Sequence, residues 1–187
     1  MNVNELLQLG MAHLHNDAEL VIPTTWSQGR TVYGGISTAL LYQALADQTQ
    51  PDYQVRSLNI NFVGPLFAEK PCHITVSPLR VGKNVAQYIA YLHQGEHICV
   101  VCQGCFTRER PSKIDVDNRP ALPFTRTKSA TFLPQIPKVV PKFLQHFDLA
   151  IQEGGIPFTG RKTDFYKGWF RYKDLSGDTN LDQAAFI

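Results

Sequence analysis

Between Arg30 and Asp47 the chain carries no charged residue, and the stretch GRTVYGGISTALLYQALAD reads as a helix running from about Gly35 to Asp47 behind the double glycine Gly34-Gly35. A helix apolar on nearly all sides must be buried nearly all round. Each large side chain on it, such as Leu40, Leu41 or Leu45, then contributes roughly 1.5–3 kcal/mol on burial. That requirement restricts the rest of the chain more than any other feature, because something must wrap the helix.

The segments that follow supply a wrapper. YQVRSLNINF alternates Val55, Ser57, Asn59 and Asn61 against Arg56, Leu58, Ile60 and Phe62, the period-2 signature of a strand. CHITVSPLR, VAQYIAYLHQ and HICVVCQGCFTR read as three more strands, with VGKN and Gly95-Glu96 as the turns. Consecutive strands with short connections predict an antiparallel meander of four. Before the helix, Leu6, Leu7 and Met11 suggest a short amphipathic helix, AELVIP a brief strand, and Trp26 with SQGRTV a loop.

Three cysteines and a histidine fall together in HICVVCQGC, a grouping that suggests a zinc or iron–sulfur site. On a strand, Cys99 and Cys102 should point to opposite faces. Cys99 and Cys105 share a face, but at roughly 3.3 Å per residue they lie about 20 Å apart. No metal and no cofactor is expected. His13, His15 and His146 are read as surface residues, since no recognisable nucleophile–His–acid spacing includes them.

A formal net charge of +2 with 18% charged residues gives no case for nucleic acid, yet is compatible with a small anionic ligand. No apolar run reaches the length of a membrane span. The N-terminal MNVNELLQLGMAHLHNDAEL carries acids and lacks a basic leader region, so a cytoplasmic protein is the expectation.

The chain divides by composition into residues 1–110, a linker at 111–145 and a tail at 146–187. Six of the twelve prolines fall between Pro111 and Pro141, with order expected at points such as TFLPQIP. In the tail, FDLAIQEGG and DFYKGWFRYKD read as two strands, with Trp169 as core anchor. LSGDTNLDQAAFI opens a helix capped near Asn180 or Asp182. Two strands and a helical turn cannot bury a core alone. The tail should therefore pack onto the first domain or drive self-association.

W-x-x-G-R-x-x-Y-G-G, V-R-S-L-N-I-N-F, P-L-R-V-G-K and F-T-R-E-R, in this order and spacing, resemble the first half of the double hot-dog acyl-CoA thioesterases, the type II or thioesterase-like superfamily. The resemblance covers residues 1–110, and the FYKGWFRYKD stretch resembles the start of that family's second hot-dog. It implies an α+β tandem hot-dog fold, each antiparallel sheet wrapped round a helix, with the second repeat incomplete here. It also implies hydrolysis of acyl-CoA to free acid and CoA. The family's catalytic Asp, on the second helix, works with a Gln and a Thr or Ser from later strands; by this resemblance the Asp would lie beyond Ile187.

Thioester hydrolysis needs a polarised carbonyl, an activated water and held CoA phosphates. Gly34 and Gly35 suit the first, because unpaired N–H groups at a helix N-terminus face an approaching carbonyl without a Cβ in the way. They equally suit close packing of helix against sheet. In single hot-dog thioesterases a His often precedes the two glycines and an acid follows on the same helix. Here Tyr33 takes the His position, and Tyr42 and Gln43 stand where that acid would sit, leaving Gln43 as a residue that could orient water or simply bond along the helix face. Asn59 and Asn61 share a strand face that could line the acyl-CoA pocket or face solvent. Arg80 and Lys83, flanking Gly82 in a turn, suit CoA phosphates or solubility alone. A non-catalytic acyl-CoA binder, or a structural half needing a partner, is the alternative. A hot-dog enoyl-CoA hydratase would need an Asp and a His near the start of the helix, and none stands between Trp26 and Leu45.

Overall fold

The computed structural model describes residues 1–114, 116, 131–132, 136, 140–155, 160, 162–173 and 183–186. The chain opens with α1 (Val3–Asn16). The Asn2 side chain accepts the Glu5 N–H at 3.0 Å and the Glu5 carboxylate accepts the Asn2 N–H at 2.7 Å, a capping box. Asp17 ends the helix in the left-handed conformation, φ 51°. Then come β1 (Leu20–Val21), a 3₁₀ turn (Thr24–Trp26), β2 (Ser27–Gln28), β3 (Thr31–Val32) and α2 (Gly34–Asp47). Four long strands follow: β4 (Tyr53–Phe62), β5 (Pro71–Val81), β6 (Val85–Gln94) and β7 (His97–Arg108). The remaining described elements are β8 (Thr131–Phe132), a 3₁₀ turn (Lys142–His146), β9 (Phe147–Gly154), β10 (Tyr166–Tyr172) and a 3₁₀ turn (Gln183–Phe186).

All four long strands form as expected, and their order corrects the meander. The sheet runs β1-β5-β6-β7-β4, antiparallel at every pairing, so β4 pairs with β7 across the sheet and not with β5. The segment 63–70 between β4 and β5 is too long for a tight hairpin. It passes the start of α2, where Leu66 accepts the Val32 N–H at 2.8 Å, and carries the chain from one edge of the sheet toward the other. Phe62 is thereby left beside the first turn of α2.

The uncharged helix is buried as its composition requires: Leu41, Ala44 and Leu45 are inaccessible to solvent. The sheet does not achieve this alone. α1 packs on the other side, so closely that a Cβ at Gly10 would stand 2.6 Å from Leu40 Cδ2, and the turn Gln183–Phe186 covers more of the helix with Ala184 and Ala185.

Bulges overturn the strict alternation read from the sequence. In β4 the register shifts at Arg56, which puts Val55 with Leu58 and Ile60 on the half-buried face while Ser57, Asn59 and Asn61 face outward. In β7 a shift opposite Leu92/His93 leaves Cys99 as the extra residue, so Cys99 and Cys102 are both buried instead of pointing to opposite faces. Burial pushes the Cys102 thiol up to about 11 and the Cys72 thiol up to about 12. Among the described residues no group of three or more His, Cys, Asp or Glu could hold a metal ion.

Two histidines read as surface residues are buried. His13 lies on the inner face of α1, its Nδ1 2.7 Å from the Ala18 carbonyl and its Nε2 accepting the Ile74 N–H at 3.2 Å. That pairing has Nδ1 donating and Nε2 accepting. His146 stacks on Trp26 with 3.9 Å between centroids. His15 is exposed and pairs with Asp47 at 3.0 Å.

The tail forms the two expected strands. With β8 they make a three-stranded sheet, order β10-β9-β8. Trp169 is not its anchor: it is 37% exposed and its Nε1–H donates to Gln152 at 3.0 Å, whereas Trp26 is 1% exposed and fills the core. Residues 142–147 dock on the first unit through rings, Phe143 stacked on Tyr33 and His146 on Trp26. Asn180, Asp182 and most of TFLPQIP lie outside the described residues.

Candidate functional site

The docking gathers side chains from both parts of the chain at the first turn of α2. Tyr33 is the N-cap, extended at φ −59°, ψ 128°, and makes no side-chain cap. The Ile36 and Ser37 N–H groups reach the Tyr33 carbonyl at 3.2 and 3.4 Å, and Ser37 Oγ donates to the Gly34 carbonyl at 2.9 Å. The N–H groups of Gly34 and Gly35 have no hydrogen-bond partner among the described residues.

Steric demand at the two glycines comes from rings. A Cβ at Gly34 would stand 2.9 Å from Phe62 Cζ, and one at Gly35 would stand 2.6 Å from Tyr33 Cζ and 2.7 Å from its hydroxyl. The Tyr33 ring thus folds back over Gly35, and Phe143 holds it there by stacking at 3.9 Å with planes 2° apart. The Phe143 segment is tied down in turn: Lys142 Nζ donates to Thr24 Oγ1 at 3.1 Å and Gln145 to the Thr25 carbonyl at 3.2 Å.

Beneath Tyr33 lies a cleft of about 120 Å³. α2 contributes Gly35, Ile36 and Ala39, and Ala184 and Ala185 face them. Phe147, Phe170 and Tyr172 of the β9–β10 hairpin complete the wall with Trp26. Tyr172 donates its hydroxyl to the Ala185 carbonyl at 2.6 Å. Its phenol is pushed up to about 12, first by burial and then by the nearby Tyr33 phenol, so it stays a donor at neutral pH. Among the described residues no Asp, Glu or His lines the cleft. Its walls combine hydrocarbon from Ile36, Ala39, Ala184 and Ala185 with the hydroxyls of Tyr33 and Tyr172.

Of the residues singled out from the sequence, only Tyr33, Gly34 and Gly35 meet here. Gln43 lies two turns further along α2 and turns toward α1, its Oε1 3.9 Å from where a Gly10 Cβ would be. Tyr42 is buried on the sheet side, stacked over Phe106 with 6.4 Å between centroids. Asn59 and Asn61 hydrogen-bond each other at 3.1 Å on the outward face of β4, the face away from α2. Arg80 and Lys83 do share a concavity, about 320 Å³ with Gly82, Asn84, Val85 and Gln87, but it lies at the opposite end of α2. There Tyr53, just after the helix, donates to the Gly82 and Lys83 carbonyls, and Tyr88 donates to the Gln48 carbonyl. A helix of 14 residues is about 21 Å long at 1.5 Å per residue, so the basic turn and the glycine pair are separate surfaces within this chain.

Phe143, Phe147, Tyr172, Ala184 and Ala185 were not legible as site residues. Phe143 follows a proline-rich segment with no periodicity, and two alanines near a chain end carry no chemical signal.

An antiparallel sheet wrapped round a buried central helix is the hot-dog fold. The chain resembles a conserved protein of unknown function with hot-dog fold from Alicyclobacillus acidocaldarius, at TM-score 0.72 and 17% identity over 90% of this chain and 61% of that one. It also resembles a putative thioesterase from Novosphingobium aromaticivorans, at TM-score 0.66 and 19% identity over 90% and 65%. An acyl-CoA thioesterase II from Mycobacterium marinum superposes at TM-score 0.54 and 18% identity over 83% and 56%. The chain spans less than two thirds of the length of each of these three. No curated protein matches it in sequence. Residues 22–107 match the family model of the acyl-CoA thioesterase N-terminal domain. No helix among the described residues is long and apolar enough to cross a membrane.

Proposed function

We propose that this chain supplies the carbonyl-polarising and acyl-binding side of an acyl-CoA thioesterase site. Water attacks the thioester carbonyl, the C–S bond breaks, and free acid and CoA leave. Gly34 and Gly35 N–H groups stabilise the developing oxyanion. Such a donor is worth about 2.7–4 kcal/mol of transition-state energy when preorganised. The carboxylate that activates water comes from outside the described residues, on the helix that the turn Gln183–Phe186 opens, or from a second copy packed against this one. Arg80 and Lys83 hold CoA phosphates of a site completed by that other half, since their own helix tip is too far away. Residues 1–110 act as the first hot-dog and 146–187 as the beginning of a second, joined by 111–145.

The observation that carries this reading is that the Gly34 and Gly35 N–H groups have no partner among the described residues, with Gly35 lining the cleft. The absence of any acid or imidazole from the cleft lining among the described residues favours the second reading, a binding half without turnover of its own. Thiol release from a panel of acyl-CoAs by the chain, with binding followed in parallel, separates the two. Turnover that survives every substitution at the cleft and glycine pair would remove the site from this surface. Binding without turnover selects the non-catalytic half. Neither binding nor turnover refutes both.

A further inference from the structure

We propose that the cleft at the first turn of α2 is a pocket for a short acyl chain, about four carbons long, with Ala39 and Ala184 setting its depth; this rests on the reading of the chain as an acyl-CoA-binding protein. The volume argues for it directly. A dry cavity of about 150 Å³ accommodates benzene in an engineered protein, so a smaller one takes fewer than six carbons at close packing. Here the space is about 120 Å³.

The lining asks for hydrocarbon. Ile36, Ala39, Ala184 and Ala185 present only methyl and methylene groups. The Tyr172 hydroxyl gives its proton to the Ala185 carbonyl at 2.6 Å. That same bond ties the turn carrying Ala184 and Ala185 to the end of β10.

Direction follows from helix spacing. Ala39 lies just over one turn beyond Gly35 on the same face, about 6 Å along the axis. A carbonyl near Gly35 therefore sends its alkyl tail over Ile36 toward Ala39. Ala39 and Ala184 are 4% and 1% exposed, so both face protein and close the pocket on two sides. Phe170, 60% exposed, stands where the cleft opens to water, and carbons beyond it would leave the protein's cover.

The test is calorimetric titration of the chain with free CoA and with S-alkyl-CoA thioethers from ethyl to decyl, which cannot be hydrolysed. Affinity should climb about fourfold per methylene as each is buried, up to butyl, and then stay flat. Ala39→Val and, from the opposite wall, Ala184→Val should each move the plateau to ethyl and weaken butyl-CoA about tenfold, roughly the loss of two buried methylenes. Melting curves establish that each variant is folded. Affinity rising steadily through octyl and decyl, or a plateau that neither folded variant moves, overturns the pocket while leaving acyl-CoA binding standing. Equal affinity for free CoA and every thioether does the same. No binding of CoA or any thioether overturns the functional reading, and the pocket falls with it.

Discussion

Replacing Gly34 with proline removes one backbone N–H from the first turn of α2 and changes little else. Gly34 is the first residue of the helix, where proline is favoured because its missing N–H would be unpaired within the helix anyway. The preceding residue must be extended, and Tyr33 already is, at φ −59° and ψ 128°. Gly35→Pro lacks this advantage, since Gly34 would then have to leave the helical region. Gly35→Val is confounded too, because its side chain would meet the Tyr33 ring. The new Cβ at position 34 stands 2.9 Å from Phe62 Cζ, but Phe62 is 62% exposed and can swing toward water at a cost of about 0.5–1.5 kcal/mol. Proline's restriction of the unfolded chain returns about 0.4–1 kcal/mol. The two nearly cancel, so Tm should move by no more than about 2–4 °C. If the Gly34 N–H meets the oxyanion, thiol release should fall by about 10²–10³ in kcat. Gly34→Ala is the control, with the same Cβ against Phe62 and the N–H kept, and should retain most of the turnover. Equal turnover in the two variants, in whichever assembly of the chain is active, would refute a catalytic role for this donor.

Other expectations follow from packing. Gly10→Ala should gain helix propensity worth about 0.8–1 kcal/mol, yet lose more, about 1–3 kcal/mol, by pressing its methyl onto Leu40 Cδ2. In a Leu40→Ala background the clash is gone and the same substitution should stabilise; denaturant unfolding that gave one sign in both backgrounds would sink the packing account. For the thiols, native protein treated with iodoacetamide at pH 8 should be labelled only at the half-exposed Cys105. Cys72, Cys99 and Cys102 are buried and held above the ordinary thiol range. Four labels before unfolding would contradict that burial.

The glycine pair shows how far the sequence could go. Its place at the start of a buried helix was readable from hydrophobicity alone. What crowds it was not. Phe62 arrives from the end of β4, and Phe143 clamps Tyr33 from more than 100 residues downstream, by stacking that leaves no periodic trace. Asn59 and Asn61 read correctly as one strand face, but which face only became clear once the bulge at Arg56 shifted the register. Lys83 read correctly as a turn residue, whereas Arg80 belongs to β5 and pairs with Gln87. Their distance from the glycines depended on which end of the sheet that turn occupies.

By itself the sequence determined a buried helix, four strands to enclose it and the absence of an acid on that helix before Asp47 at its far end. Each of these follows from local composition: burial from the lack of charge, strands from period 2, and the missing base from residue identity. The tertiary structure decided the β1-β5-β6-β7-β4 order, the second helix that completes the wrap, the interior Cys99 and His13, and the cleft itself. Those depend on long connections, single-residue bulges and ring stacking between distant segments. Such contacts become favourable only when the chain has already brought their partners together, so no local pattern encodes them.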